Sequence, residues 1–353
     1  MPVQLHRAPL DFVNSSGVNI CESGSISNPL PVQIVSDSAQ TLYRRTLQWL
    51  VHGEIVESVK NCHSVGSGWG LKERQTKEIR YVTLILTNPR DRLINSPMFL
   101  LEKAIPRTVL GTLSDELSVN VFAFYDPKVV AFSDDGLTLP TNYGRRIRSF
   151  DQTDQIAQVI RQFKQDPNTR RAVIHIHAVQ DTERRYDPCI DSLHFLIRNG
   201  TLECHTMWRS ENGLTLLPTN LFEFTMLHEL IASELGIDLG RYVHTITSLH
   251  YYLDDQEKLE FVLEDLKTRE SPPVMDRMTD HSLEQVSILR DCEKKLRTER
   301  LSCAGEVFEN LSEYWRKIGQ IIAYSIAKNT HNHQLVEESF LSSPWKNLLQ
   351  VRG

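Results

Sequence analysis

The stretch YDPCIDSLHFLIRNG (residues 186–200), continued by TLECHTMWRS (201–210), decides how this chain is read. Two runs of β-forming residues meet at Asn199-Gly200. That dipeptide is the strongest short-range hairpin signal, because both of its positions tolerate positive φ. An antiparallel hairpin is therefore predicted. Cys189 stands beside Pro188 at the mouth of its first strand. On these residues alone the thiol is open between two roles, a nucleophile and one more buried cysteine.

Downstream, LFEFTMLHELIASELG (221–236) predicts a long apolar helix stopped by Gly236, with Asn220 as a candidate N-cap. YVHTITSLHYYLDD (242–255) reads as a strand and a turn. Upstream, RRAVIHIHAV (170–179) reads as a strand, and DQTDQIAQVIRQFKQDP (151–167) as an amphipathic helix stopped by Asp-Pro. PTNYGRRI (140–147) reads as a loop. FLLEKAIPRTVLGTL, from Phe99, reads as a helix bent or divided at Pro106. IRYVTLILTNPRDRL (79–93) is a strand ended by Asn-Pro, preceded by a Gly-rich turn, HSVGSGWGLKERQT (63–76). Tyr43, Leu47 and Leu50 have helical spacing behind Ser38, a candidate N-cap. Strands and helices do not alternate as βαβ units, so the fold class is α+β with mixed pairing. Three regions are expected. They are an N-terminal arm at 1–38 with room for one short strand, a body at 39–255, and a charged helical region at 256–353, broken at ESPPVMD and packed on the same body.

Composition narrows the function classes. The 353 residues are 40% hydrophobic and 24% charged, values of an ordinary soluble globular protein with ample core. A net charge of −6 argues against general nucleic-acid binding, which needs a basic stripe, but leaves room for a local phosphate pocket. Six scattered cysteines without a CxxC pair argue against a zinc ribbon or a disulfide framework. No apolar run is long enough to span a membrane, and MPVQLHRAPLDFVNSSG lacks a signal-peptide core. A cytoplasmic protein with reduced thiols is expected.

Four pieces stand in one order: DPNTRRAVIHI, YDPCIDSLHF, MWRSENGLTLLPTNLFEFTMLHELIASELGI and YVHTITSLHYYLDD. The series resembles the thymidylate synthase family. FSDDGLTLPTNYGRRI (132–147) and TNPRDRL (87–93) are similar to its pyrimidine-nucleotide hydroxymethylase branch. The resemblance covers roughly residues 40–255. It implies a thymidylate synthase-like fold, a mixed β-sheet packed by helices, and a homodimer joined through its sheets with shared active sites.

The chemistry explains why these residue types belong together. C5 of a pyrimidine is a poor nucleophile, and a thiolate adding to C6 makes it carbanion-like. The resemblance makes Cys189 that thiolate. It assigns Arg170 and Arg171 to the phosphate of the partner's nucleotide, a task that suits planar guanidinium forks; taken alone, the pair would read as surface salt bridges. Arg209 and Ser210 would hold phosphate from the same subunit, with Arg209 also lowering the Cys189 pKa. Asn220 would read the base: its amide can donate to O4 and accept from N3–H, which favours uracil. His250 and Tyr252, two apart on one strand face, would hold the sugar hydroxyl. Tyr143 would stand near the cysteine and the transferred proton. Lys72 or Arg74 is a further candidate phosphate contact. His175 and His177 lack a third ligand, so no metal is expected.

Three positions depart from the family. Thr108 falls where a proton-transferring glutamate stands, and Glu102 reaches that place only if the helix shifts around Pro106. Such a carboxylate is worth about 10²–10⁴ in rate. Asn212 replaces an aspartate that binds the pterin of 5,10-methylenetetrahydrofolate, the co-substrate the family implies. Ile190 replaces a histidine. Three functions are therefore weighed. The first is C5 one-carbon transfer to a pyrimidine nucleoside monophosphate, with hydroxymethylation ahead of methylation. The second is cysteine chemistry on such a nucleotide without folate, and the third is a non-catalytic nucleotide sensor.

Overall fold

Among the described residues, one mixed sheet of seven strands carries the predicted hairpin near its centre. The computed structural model describes residues 31–63, 71–139, 142–184, 186–278, 281–299, 304–332, 335, 348 and 349, with backbone alone at 57–63, 71, 72 and 183. The elements are β1 Val32–Ser36, α1 Ala39–Leu50, β2 Glu54–His63, β3 Leu71–Leu86, α2 Leu101–Pro106, α3 Val119–Tyr125, α4 Tyr143–Ser149 and α5 Gln155–Gln165. There follow β4 Val173–His175, β5 Ile190–Arg198, β6 Thr201–Asn212, α6 Leu217–Leu235, β7 Asp238–Tyr252, α7 Gln256–Thr268, α8 Ser282–Thr298 and α9 Glu313–Thr330. The strand order is β1-β3-β7-β6-β5-β4, with β2 also paired to β3. Pairs β1/β3 and β6/β7 are parallel, and the other neighbours are antiparallel.

Alternation builds a one-sided sheet. Leu202, Cys204, Thr206 and Trp208 of β6, with Tyr242, His244 and Ile246 of β7, are buried on one face. Helix α6 packs there; it is apolar nearly all round and buried along most of its length, as such a pattern requires. Helices α5 and α8 pack against α6, and α9 packs on α2 and α8. On the other face Thr83, His205 and Thr245 are half-buried and Met207 is exposed.

The hairpin turn has φ of 52° at Asn199 and 78° at Gly200, the left-handed pair that its sequence predicts. Ser38 caps α1 and Gly236 ends α6 at φ 66°, also as expected.

Several local expectations are corrected. Residues 143–147 are helix, not loop: Asn142 is the N-cap of α4 and accepts from Gly144 N. Gly144 is required there, since a Cβ would lie 1.8 Å from Ser114 O. Of the turn expected at 63–76, His63 closes β2, 71–76 belong to β3, and 64–70 lie outside the described residues. The strand expected at 170–179 shrinks to Val173–His175, so His177 lies outside it and the two histidines do not share a strand. Helix α6 begins at Leu217, with Pro218 in its first turn; Asn220 is thus inside the helix and not its cap.

The helix changes type at Pro106, the point at which it was expected to bend or divide. The chain passes from α-helix at Leu101–Pro106 into a π-helical turn at Arg107–Thr112. Proline has no N–H for the carbonyl four residues back. That carbonyl, Glu102 O, accepts instead from Ser325 Oγ of α9 at 2.7 Å.

Candidate active site

Cys189 lies just before β5, partly exposed, with its carbonyl accepting from Arg209 N at 3.0 Å. The Arg209 side chain folds back along the same loop. Its Nε donates to Pro188 O at 2.9 Å, and its Nη2 to Asp187 Oδ1 at 2.7 Å. The same Nη2 lies 3.8 Å from Cys189 Sγ. Burial pushes the thiol up to about 11; Arg209 pulls it down, while Glu211, Asp187 and Asp191 push it further up. Arg209 thus lowers the thiol pKa as expected, but the net shift in the free protein is upward. The Arg209 charge is shared with Asp187, and desolvation wins.

Tyr143 opens α4 and packs on Trp208 and Phe224, with ring centroids at 6.2 and 5.6 Å. Burial holds its phenol well above the usual range, with the charges of Cys189, Glu211 and Glu223 adding to the effect and Arg107 opposing it. The structure thus brings Cys189 and Tyr143 into one electrostatic neighbourhood.

Asn220 is 3% exposed. Its Nδ2 donates to both carboxylate oxygens of Glu211, at 3.0 Å each. Its Oδ1 faces the other way and accepts from Arg107 Nη2 at 3.4 Å. A carboxylate can only accept and a guanidinium can only donate, so these partners fix the orientation of the amide. Glu211 also lies 3.6 Å from His244 Nε2, and His244 Nδ1 meets Tyr242 OH at 3.0 Å and Thr206 Oγ1 at 3.2 Å.

Arg107 Nε lies 2.6 Å from Glu223 Oε1, one helical turn on from Asn220. Arg107 and Thr112 are the side chains that engage the Glu223 carboxylate. Burial raises the Glu223 pKa, with Arg107 opposing.

The departures from the family can now be placed. Thr108 Oγ1 donates back to Ala104 O at 2.7 Å, within its own helix. Glu102 faces α9, 3.0 Å from Lys328 Nζ, so the shift that would carry it to the base does not occur. Asn212 is buried, and its Oδ1 accepts from Leu214 N and Thr215 N at 3.1 and 3.0 Å. Its oxygen builds a turn and is not turned outward to a pterin. Ile190 is buried core.

The remaining candidates lie on the strand face and its edges. Ser210 Oγ is 3.4 Å from His250 Nδ1, and the His250 and Tyr252 rings meet edge-on at 5.5 Å. Burial lowers the His250 pKa. Arg74 sits 3.8 Å over the Tyr252 ring and 3.0 Å from Asp254, so its charge is already engaged. The side chain of Lys72 lies outside the described residues. Arg170 and Arg171 are exposed ahead of β4 and form no ion pair among the described residues. His177 lies 3.6 Å from Asp187. No group of three or more His, Cys, Asp or Glu side chains among the described residues is arranged to hold a metal ion.

Sequence reasoning did not single out Arg107, Glu211 and Glu223. A signal for the glutamates existed: WRSEN and LFEFTML each place one acid in an otherwise apolar or family-typical run. An acid inside an all-round apolar helix must be buried and needs a partner. Nothing local named Arg107 as that partner.

The described side chains thus include a cysteine at a strand mouth, a tyrosine that feels its charge, and an amide held by buried charges. A family model for thymidylate synthase matches residues 110–292, just over half of the chain. The chain is 31% identical over 193 residues to a Methanocaldococcus jannaschii protein named "Putative thymidylate synthase", covering 52% of this chain and 78% of that one. It is 31% identical over 233 residues to the deoxyuridylate hydroxymethyltransferase of Bacillus phage SP01, covering 58% and 59%. It is 25% identical over 224 residues to a thymidylate synthase of Listeria innocua, covering 61% and 67%. The chain belongs to the thymidylate synthase family, a family of transferases.

Proposed function

We propose that this protein transfers a one-carbon unit to C5 of a pyrimidine nucleoside monophosphate, with uracil as the base and hydroxymethylation as the outcome. The observation that carries the reading is the grouping of Cys189 with Tyr143, Arg209 and the oriented Asn220 amide. Similarity to the phage hydroxymethyltransferase favours hydroxymethylation. Cys189 adds to C6, Asn220 reads the base edge, and Tyr143 stands where a proton is moved. Ser210, His250 and Tyr252 line the sugar and phosphate side. Arg209 takes phosphate only by exchanging Asp187 for it, since Asp187 holds it at 2.7 Å.

5,10-Methylenetetrahydrofolate is the proposed one-carbon donor, a co-substrate. Asn212 is a weak contact for it, because its oxygen already closes the turn at Leu214 and Thr215. The same observation favours a second reading, in which the thiolate addition is kept and folate is not used. A homodimer with shared sites is part of the proposal. The half-open sheet face around His205, Met207 and Thr245 supports it, as do the exposed Arg170 and Arg171. Residues 39–255 would form the catalytic body, with 256–353 packed on it and 1–38 an arm. No helix among the described residues is long and apolar enough to cross a membrane; a cytoplasmic location is proposed with the function.

The test is product mass after incubation with UMP, dUMP, CMP and dCMP, with and without methylenetetrahydrofolate. A folate-dependent hydroxymethyl product on a uracil nucleotide, lost in Cys189→Ala, is expected. Exchange of the C5 hydrogen without a folate-dependent product selects the second reading. Binding without any reaction overturns both.

A further inference from the structure

We propose that Arg107, steadied by Glu223, is a catalytic residue of this site: it donates to O4 of the pyrimidine, takes the charge that thiolate addition sends there, and selects uracil over cytosine. The inference rests on the functional reading above.

Position is the first argument. Arg107 opens the π-helical turn that follows Pro106, and such turns recur at functional sites. Its side chain is 42% exposed, whereas the groups it faces, Asn220, Glu223 and the nearby Glu211, are buried. The guanidinium therefore caps a buried polar cluster and presents its outer edge to whatever enters. Glu223 at 2.6 Å holds the Nε side and leaves the Nη side turned toward Asn220.

The hydrogen-bond pattern is the second argument. With Nδ2 committed to Glu211, Asn220 offers Oδ1, an acceptor, and Arg107 stands 3.4 Å away as a donor. Acceptor and donor lie side by side. The edge of uracil carries N3–H, a donor, beside O4, an acceptor, and it complements both. The edge of cytosine carries N3, an acceptor, beside an amino donor, and it opposes both. A site built to hydrogen-bond one edge rejects the reversed one strongly, by about 100-fold or more.

The chemistry balances within the site. Cys189 gives its thiol proton to water, and takes one back when the cycle ends; the resulting thiolate sulfur forms a bond to C6, and the C5=C6 electron pair moves through C4 onto O4, giving an enolate. Arg107 binds that oxygen more strongly as its charge grows, which is what lowers a barrier. In D₂O a deuteron from solvent adds to C5, the original C5 proton leaves to solvent, and the S–C6 bond breaks to restore the thiol and a labelled nucleotide. No oxidant or second substrate is needed.

The test is C5 deuterium exchange of dUMP and dCMP without folate, together with dUMP affinity by calorimetry and thermal unfolding. It compares wild type, Arg107→Gln, Arg107→Lys and Glu223→Gln. Removing one such donor typically costs about 10²–10³-fold in rate. Arg107→Gln is expected to lose about that much dUMP exchange while its affinity for dUMP and its unfolding midpoint change little. Its preference for dUMP over dCMP should fall at least about tenfold, because a glutamine amide can turn its oxygen to the cytosine amino group. Arg107→Lys keeps the charge and should fall between wild type and Arg107→Gln. Glu223→Gln should slow exchange less than Arg107→Gln does. Exchange by Arg107→Gln within about threefold of wild type, or a loss matched by equal losses of affinity and thermal midpoint, overturns the proposal. Should Arg107→Gln fail to fold, a folded Arg107→Lys with wild-type exchange and wild-type base preference overturns it as well. Wild-type protein that binds dUMP without exchanging its C5 proton defeats the parent reading instead, and this one with it.

Discussion

Helix α6 carries two buried glutamates, each facing an arginine, and the two pairs are built differently. Glu229 is sealed. Its carboxylate meets Arg92, whose side chain is 0% exposed, and also accepts from Met278 N at 3.1 Å. Glu223 is equally buried, but its arginine is 42% exposed. A buried carboxylate held by a fully buried arginine and a backbone N–H ties elements together, whereas one held by a half-exposed arginine leaves part of that guanidinium open to solvent. Six residues of one helix therefore separate a structural lock from the pair proposed above to serve the reaction.

The largest expected effect lies in the lock. Glu229→Ala leaves Arg92 buried and uncompensated, which typically costs about 3–5 kcal/mol. Denaturant unfolding should show that loss, with activity per folded molecule preserved. Glu223→Gln should behave oppositely. Removing a desolvated charge relieves part of its burial cost, so the unfolding midpoint should hold or rise while exchange at C5 slows. A destabilisation as large as that of Glu229→Ala would erase the distinction between the two pairs.

Much of the strand side of the site was legible in the sequence, and most of the helix side was not. The hairpin at Asn199-Gly200, the Ser38 cap and the Gly236 stop depend on local chemistry that each short stretch carries in full. The grouping of Cys189, Arg209 and Ser210 follows from one hairpin and its neighbour. By contrast, Arg107 meets Asn220 and Glu223 across more than a hundred residues, and only tertiary packing creates that contact. The start of α6 was misread because Asn220 is a good cap by type, while Pro218 had already opened the helix. Asn142 was the cap that the sequence did carry, hidden in a stretch that looked like turn.

The thiol gives a pH test of the same contrast between burial and charge. Burial pushes Cys189 up to about 11, so the free protein holds a thiol, not a thiolate, at neutral pH. Its alkylation rate should keep rising about tenfold per pH unit from pH 7 toward that value, since only the thiolate reacts. A plateau by pH 8 would mean that Arg209 outweighs burial. The smallest expected effect concerns the π turn. Ser325→Ala removes the donor to Glu102 O, which Pro106 leaves without an N–H. A loss of about 1–3 kcal/mol in stability is expected.

The central claim is that Cys189 attacks C6 of a uracil nucleotide. Its most direct measurement is peptide mapping after incubation with 5-fluoro-dUMP and methylenetetrahydrofolate, because a C5–F bond cannot release its substituent as a cation and the adduct is held. The account predicts added nucleotide mass on the peptide containing Cys189, and none in Cys189→Ala. Nucleotide bound only non-covalently, or mass added at Cys204 or Cys292 instead, would contradict it.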